Sequence, residues 1–298
     1  MRLNKFTRFS ILLAVIFLLT GCVSAESTVI SDETDDSVAI VQEVESIPVN
    51  HEPLEQEVDY SQEFEGIQGC AVMYLPETEE YILYNKEMCD VQESPYSSFK
   101  IISALIGLDA KIIDSESSTM NYDGTIYPVE AWNDNLTLQE AFGSSCIWYF
   151  SQIIDCSGQD NVQAVLDELN YGNCDISEWD GSGINPLPEL NGFWLASSLK
   201  ISPREQVEVL ARIFEGKTEF DQNDIEILKS VMRAETTDTL VTYGKTGSSG
   251  DGQAWFVGFA EQENHRRYIA VYLNDRANAG KATGSQAEDI AIVILNKL

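Results

Sequence analysis

Ser97 and Lys100 are the residues of this chain best placed to do chemistry. They stand three apart in Pro95-Tyr96-Ser97-Ser98-Phe99-Lys100, directly ahead of the apolar run Ile101-Ile102-Ser103-Ala104-Leu105-Ile106. Residues three apart on a helix share a face, and the apolar run argues that this helix is buried. A lysine held among apolar side chains loses proton affinity, because burial disfavours its charged form. A neutral amine beside a hydroxyl is a base beside a nucleophile. The plain alternative is a helix start with Ser97 as its cap and Lys100 reaching to solvent along its stem. Ser-x-x-Lys alone is a weak pattern, so the rest of the chain must decide.

The histidine count narrows the chemistry. Only two are present: His51 in an acidic stretch, and His265 in the polar cluster 261–267, which reads as a hairpin tip. A Ser-His-Asp triad or a His-rich zinc site would need one in the folded core. No Cys-x-x-Cys spacing points to zinc either. If this chain performs acyl chemistry, its base is a lysine. Three further stretches offer polar side chains for such a site. Ser145 lies in Phe142-Gly143-Ser144-Ser145-Cys146-Ile147-Trp148-Tyr149-Phe150, Tyr171-Gly172-Asn173 opens an irregular segment, and Lys245-Thr246-Gly247 ends a strand-like run followed by Trp255-Phe256-Val257-Gly258. Each alone has an ordinary reading, as a satisfied helix serine, a loop or a hairpin turn.

The elements that must position these residues follow from pattern. Gly69–Leu75 and Tyr81–Tyr84 read as strands joined by a polar turn. The Ser97 helix runs to about Ala110. Thr137 with Glu140 is a capping box for a helix running to about Ile154 with Ser145 inside it, and Asn161–Leu169 is helical. Residues 171–192 look irregular. Ser202 caps a helix with Pro203 at its first position, and Asp221–Met232 is helical. Thr239–Lys245, Ala254–Phe259 and Tyr268–Leu273 read as strands. Ser285–Leu295 closes the chain as a helix with Ala287, Ile290, Ala291 and Ile294 on one face. Sequential strands with short connectors imply an antiparallel sheet with helices packed around it.

The first residues read as a targeting segment. Arg2, Lys5 and Arg8 precede the apolar run Ile11–Leu19, too short for a comfortable span, and Leu19-Thr20-Gly21-Cys22 resembles a bacterial lipobox. The expectation is a signal peptide over 1–21 and lipid on Cys22, which would anchor an exported protein to the outer face of the cell membrane. A plain secretory signal cut near Ala25, or an uncleaved anchor, is the alternative. No other stretch is apolar enough to span a bilayer. Residues 23–66 hold 13 Asp and Glu and no Lys or Arg, so 22–66 reads as a disordered acidic tether. Residues 67–298 are the right size for one globular unit. The formal charge of −31 becomes −34 without the three basic residues of the leader. It argues against nucleic acid and anionic membrane surfaces as partners. With Cys22 lipidated, Cys70, Cys89, Cys146, Cys156 and Cys174 remain. Five is odd, so at least one thiol is free or pairs between molecules. Cys146 and Cys174 adjoin the site motifs and are a candidate pair, and buried free thiols are the equal alternative.

Taken jointly, in this order and spacing, these motifs resemble the penicillin-recognising serine enzymes. Within that superfamily they are most similar to class D β-lactamases and the related penicillin-sensing domains of membrane receptors. Tyr171-Gly172-Asn173, Tyr243-Gly244-Lys245-Thr246-Gly247, Trp255-Phe256-Val257-Gly258 and Phe193-Trp194-Leu195 ahead of Ser198-Leu199-Lys200-Ile201-Ser202 carry the likeness, over roughly 67–298. The resemblance implies an α+β fold, a five-stranded antiparallel sheet flanked by helices with a helical lobe. It implies Ser97 as the nucleophile toward a β-lactam carbonyl and Lys100 as general base, bearing covalent carbon dioxide as a carbamate and no other cofactor or metal. Ile147 and Trp148 would supply its apolar pocket, and the Trp194 indole N–H would steady the carbamate. Ser145 would relay a proton to the lactam nitrogen, held by Lys245. Thr246, with Gly247 and Ser248, would bind substrate. The N–H groups of Ser97 and Ser248 would form the oxyanion hole, and Tyr171 and Asn173 would shape the wall. For the arginine that often clamps the substrate carboxylate, Arg276 and Lys281 both follow the last strand and neither is assigned. Ile147 stands where class D enzymes usually carry Val and sensors Asn. An apolar residue there favours the carbamate and hence hydrolysis, against a sensor or a D,D-peptidase that is acylated without turnover.

Overall fold

The computed structural model describes residues 53–236, 240–262, 265–278 and 282–297. The leader with Cys22, most of the acidic segment with His51, and Lys281 lie outside the described residues. Seven strands form one sheet: β1 (Leu54–Glu57), β2 (Gly69–Leu75), β3 (Glu80–Tyr84), β4 (Arg233–Thr236), β5 (Val241–Ser248), β6 (Gln253–Gln262) and β7 (His265–Asn274), in the order β1-β3-β2-β7-β6-β5-β4. The five expected strands are the central ones and pair antiparallel. The five-stranded antiparallel expectation is corrected at both edges. Strand β1 pairs parallel with β3, which makes the sheet mixed, and β4 adds to β5 with a register shift. Both additions are four-residue edge strands. Leu-Glu-Gln-Glu of β1 is exposed at every position, so it lacks the apolar alternation by which a strand is recognised. The end of the segment read as a tether is therefore structured. Tyr60 and Phe64 are buried just after β1.

Both faces of the sheet are covered, and the strands alternate between two cores as a period of two requires. Cys70, Val72 and Tyr74 of β2 and Trp255, Val257 and Phe259 of β6 face one core. Ala71 and Met73, with Ala254, Phe256 and Ala260, face the other. The first core is completed by α1 (Lys86–Cys89), α2 (Lys100–Asp109), α3 (Leu138–Gly143), α4 (Ile147–Ser157), α5 (Gln159–Leu169), α6 (Pro203–Phe214) and α7 (Gln222–Val231). The second is covered by α8 (Gly284–Leu295), which buries the expected stripe Ala287, Ile290, Ala291 and Ile294. The caps read from sequence are present. Thr137 with Glu140 and Ser202 with Glu205 form capping boxes, as does Thr283 with Gln286 on α8. The helix expected through Ser145 is in fact two. The first ends at Gly143 and the second begins at Ile147, and Ser145 between them has φ 56°.

Candidate active site

Ser97 sits in a 3₁₀ turn, Tyr96–Phe99, which feeds directly into α2. Lys100 Nζ lies 2.8 Å from Ser97 Oγ. Lys100 is 1 % exposed, which makes it one of the largest fully buried side chains of the protein. Burial holds its amine well below the ordinary lysine range, and the nearby charge of Lys245 pushes in the same direction. Its Nζ is 5.7 Å from the Phe150 ring centroid. Phe150 is therefore part of the apolar wall that the sequence reading missed. It stands one turn after half-buried Ile147 on α4, a spacing that could have revealed it. Trp148, expected in that wall, points its indole N–H to Trp132 O (2.9 Å) and packs among Tyr122, Tyr127 and Tyr149.

Lys245 approaches from β5. It too is buried, which brings its amine down to about 8, with Glu288 opposing the shift. Its Nζ donates to Thr246 O (3.1 Å) and Thr246 Oγ1 (3.3 Å) and lies 5.7 Å from the Phe142 ring centroid. No hydrogen bond joins it to Ser145 among the described residues. Ser145 is half-buried, in the left-handed conformation of the α3–α4 break. Such a conformation is uncommon for a non-glycine residue and concentrates at functional sites.

The approach of β5 to the 3₁₀ turn depends on Gly247. A Cβ there would stand 3.0 Å from Pro95 O, 3.1 Å from Ser98 N and 3.3 Å from Ser97 N. With hydrogen in its place the backbone of 247–248 and the N–H of Ser97 come to one edge. Ser248 is exposed and its Oγ accepts from Gly284 N (2.9 Å) at the start of α8. Thr246 is half-buried and close to Gly284 as well.

Behind Lys100, Trp194 stacks on Phe99 with centroids 5.7 Å apart and meets Phe193 edge-on at 5.0 Å. It is 3 % exposed and lines a cavity with Ser151, Ile154 and Trp179. Asn173 ties the 171–175 loop to the segment after Trp194. Its Nδ2 donates to Ser198 O (2.9 Å) and its Oδ1 accepts from Lys200 N (2.9 Å). Tyr171 is fully buried edge-on to Phe99 at 5.6 Å, and burial pushes its phenol well up. Its hydroxyl lies beside Gln206 and Ser98 but outside hydrogen-bonding geometry with either.

All five described cysteines are free thiols. Cys146 is buried beside Lys100, its thiol pushed up by burial to about 11, whereas the Cys174 thiol donates to Leu166 O (3.4 Å). Arg276 faces two carboxylates, Asp251 at 3.4 Å and Glu93 at 3.9 Å. The structure thus brings Ser97, Lys100, Lys245, Thr246, Gly247 and Ser248 to one place, with Trp194 behind. A neutral amine in contact with a serine hydroxyl can take its proton. A second buried lysine beside it holds positive charge below about pH 8.

Residues 65–296 match the family model for the penicillin binding protein transpeptidase domain. The chain is 34% identical over 245 residues to the regulatory protein BlaR1 of Bacillus licheniformis, covering 80% of this chain and 38% of that protein. It thus spans about two fifths of that relative's length. It is also 34% identical over 237 residues to the probable beta-lactamase YbxI of Bacillus subtilis, covering 79% of this chain and 82% of the other. The fold matches a solved class D beta-lactamase from Bacillus subtilis with a TM-score of 0.71 and 31% identity, over 80% of this chain and 95% of that one.

Proposed function

The chain belongs to the penicillin binding protein transpeptidase domain family, and from that premise we propose that it is a serine β-lactamase of class D type. The single observation that carries this reading is the Lys100 Nζ to Ser97 Oγ contact of 2.8 Å on a fully buried lysine. Ser97 Oγ attacks the β-lactam carbonyl carbon while its proton passes to the neutral Lys100 amine. The Ser97 and Ser248 N–H groups receive the developing oxyanion. The lactam C–N bond then breaks, and the ring nitrogen takes the proton that Lys100 holds, relayed through Ser145, which leaves the Lys100 amine neutral again. Lys245 and Thr246 hold the substrate carboxylate. Lys100 takes a proton from the water that attacks the resulting ester carbonyl and returns it to Ser97 Oγ as the acyl C–O bond breaks, which releases the ring-opened acid.

The residues fit carbon dioxide on Lys100: the amine is driven neutral, its surroundings are apolar, and the Trp194 ring stacks on Phe99, the residue before it. When bound it would supply an anionic oxygen base for the water step, with Trp194 as the residue to hold it. Lipid on Cys22, with export and anchoring at the outer face of the membrane, is part of the same proposal. Metabolic labelling with a palmitate analogue should mark the full chain and fail to mark Cys22→Ser. Equal labelling of both would remove the anchor.

The function is tested by intact mass of the purified chain, seconds and then an hour after mixing with a small excess of benzylpenicillin. An adduct on Ser97 that disappears as penicilloate accumulates is the expected result. A persistent adduct would make the chain a penicillin receptor or an inhibited peptidase, the reading that the likeness to BlaR1 supports. No adduct at all would overturn both.

A further inference from the structure

The turn that carries Ser97 begins at a residue to which the mechanism gives no role. Tyr96 is buried and has φ 48°, the left-handed region that a bulky L-residue rarely enters. Three contacts hold it there. Its N–H donates to Trp194 O (3.1 Å). Two residues earlier, Ser94 O accepts from Trp255 Nε1 (3.0 Å). The Tyr96 hydroxyl accepts from Gln253 Nε2 (2.9 Å).

Gln253 is fully buried at the start of β6, and both ends of its amide are engaged, since Oε1 accepts from the Tyr272 hydroxyl (2.8 Å). A buried amide with one end unpaired is costly, so the pairing fixes its rotamer. The backbone of the same residue closes on Ser249. Gln253 N donates to Ser249 Oγ (2.9 Å), and Ser249 N donates to Gln253 O (2.9 Å). Gln253 thus grips Tyr96 on one side and Ser249 on the other. These are the immediate neighbours of Ser97 and Ser248, whose N–H groups would receive the oxyanion.

We propose that Gln253 is a positioning residue which, through Tyr96 and Ser249, sets the separation of the Ser97 and Ser248 N–H groups and thereby the rate at which Ser97 is acylated. This rests on the reading of Ser97 as nucleophile. It gives a reason for a tyrosine in a strained conformation next to the reactive serine: the phenol is the handle by which the sheet holds the turn. A donor pair displaced from the oxyanion costs rate in the transition state rather than binding of the ground state.

The test compares the full chain with Tyr96→Phe, Gln253→Met and the double variant, at a temperature where melting curves show each one folded. Two probes are used, a chromogenic cephalosporin and a fluorophosphonate, because both place a developing oxyanion in the same position. Each single variant is expected to lose about tenfold in the limiting rate of Ser97 modification, with half-saturating concentration almost unchanged. The double variant should be no slower than the worse single one, because both break one linkage. A limiting rate unchanged in Tyr96→Phe, with only the melting temperature lowered, would reduce the network to a structural one and overturn the proposal. So would additive losses. If Gln253→Met does not fold, Tyr96→Phe carries the test, since it removes one oxygen and little volume. A wild-type chain that reacts with the fluorophosphonate but not the cephalosporin would overturn the β-lactam reading and leave the comparison intact. A wild-type chain inert to both would overturn both.

Discussion

Lys100 serves the proposed chemistry at the expense of the fold. A lysine whose amine is held neutral by burial releases on folding a proton that the unfolded chain would keep. Its folded value is depressed well below the usual 10.5, so the unfolded state binds more protons at every pH between the two values. Stability contributed at this position is therefore lost as pH falls from about 10.5 toward the folded value, and is constant below it. Lys100→Met keeps the apolar stem and removes the titration. In buffers stripped of bicarbonate it should melt higher than the wild type at pH 6.5, by at least about 2 °C, and the gap should narrow at pH 9.5 while acylation is abolished. A gap that is absent or widens with rising pH would mean that the amine is not buried neutral. The Ser97–Lys100 pair was legible in the sequence because helix periodicity and an apolar run are local signals. Phe150, which stands over Lys100, could have been read from its spacing to Ile147, whereas nothing local said that Phe142 would stand over Lys245.

Elements bring these side chains together, and a few backbone positions decide how closely. Gly172, at φ 55°, is the sharpest case on the loop behind the nucleophile. A Cβ there would stand 1.9 Å from Lys200 O and 2.8 Å from Ile201 Cα. Both obstacles are backbone, and the conformation itself disfavours an L-residue. Gly172→Ala must therefore displace the 171–175 loop from 198–200 and, through Tyr171, loosen its edge-on contact with Phe99. A destabilisation of about 2 kcal/mol or more is expected from urea unfolding. A loss below about 0.5 kcal/mol would show that the loop carries little of the stability. Element scale is also where sequence reading divided most clearly. The central strands, the capping box at Thr137, the cap at Ser202 and the α8 stripe were readable because each is written within a few consecutive residues. Strands β1 and β4 were not, because an edge strand is defined by the partner it meets, and Leu-Glu-Gln-Glu carries no period of its own. The break at Ser145 was missed for a related reason. A single left-handed serine between two helix-forming stretches leaves no mark on apolar periodicity, and at the break the Trp132 indole N–H, twelve residues away in the chain, donates to Ser144 O (3.0 Å).

At the scale of the whole molecule, charge sets the terms on which a substrate arrives. The chain carries 49 Asp and Glu against 18 Lys and Arg, a formal charge of −31, and the penicillins proposed as its substrates are anions. Positive charge in the site is local. Lys245 holds it below about pH 8, and Arg276 is faced by Asp251 and Glu93. Which field governs approach depends on range. At ~10 mM salt the Debye length is about 30 Å, so an incoming anion meets the summed negative field of the protein, whereas at ~0.1 M it is about 10 Å and distant carboxylates are screened. The second-order rate constant for acylation by benzylpenicillin should therefore rise severalfold between those two conditions and then level off. A zwitterionic penicillin bearing a side-chain amine should show a smaller rise, because its net charge is near zero while its carboxylate meets the same Lys245 and Thr246. Stopped-flow acylation of both compounds across that salt range separates the two fields. A rate that falls from the lowest salt onward would mean that the local charge of Lys245 steers the anion from a distance despite the acidic surface. In that case the negative charge of the chain is spread over faces the substrate does not approach.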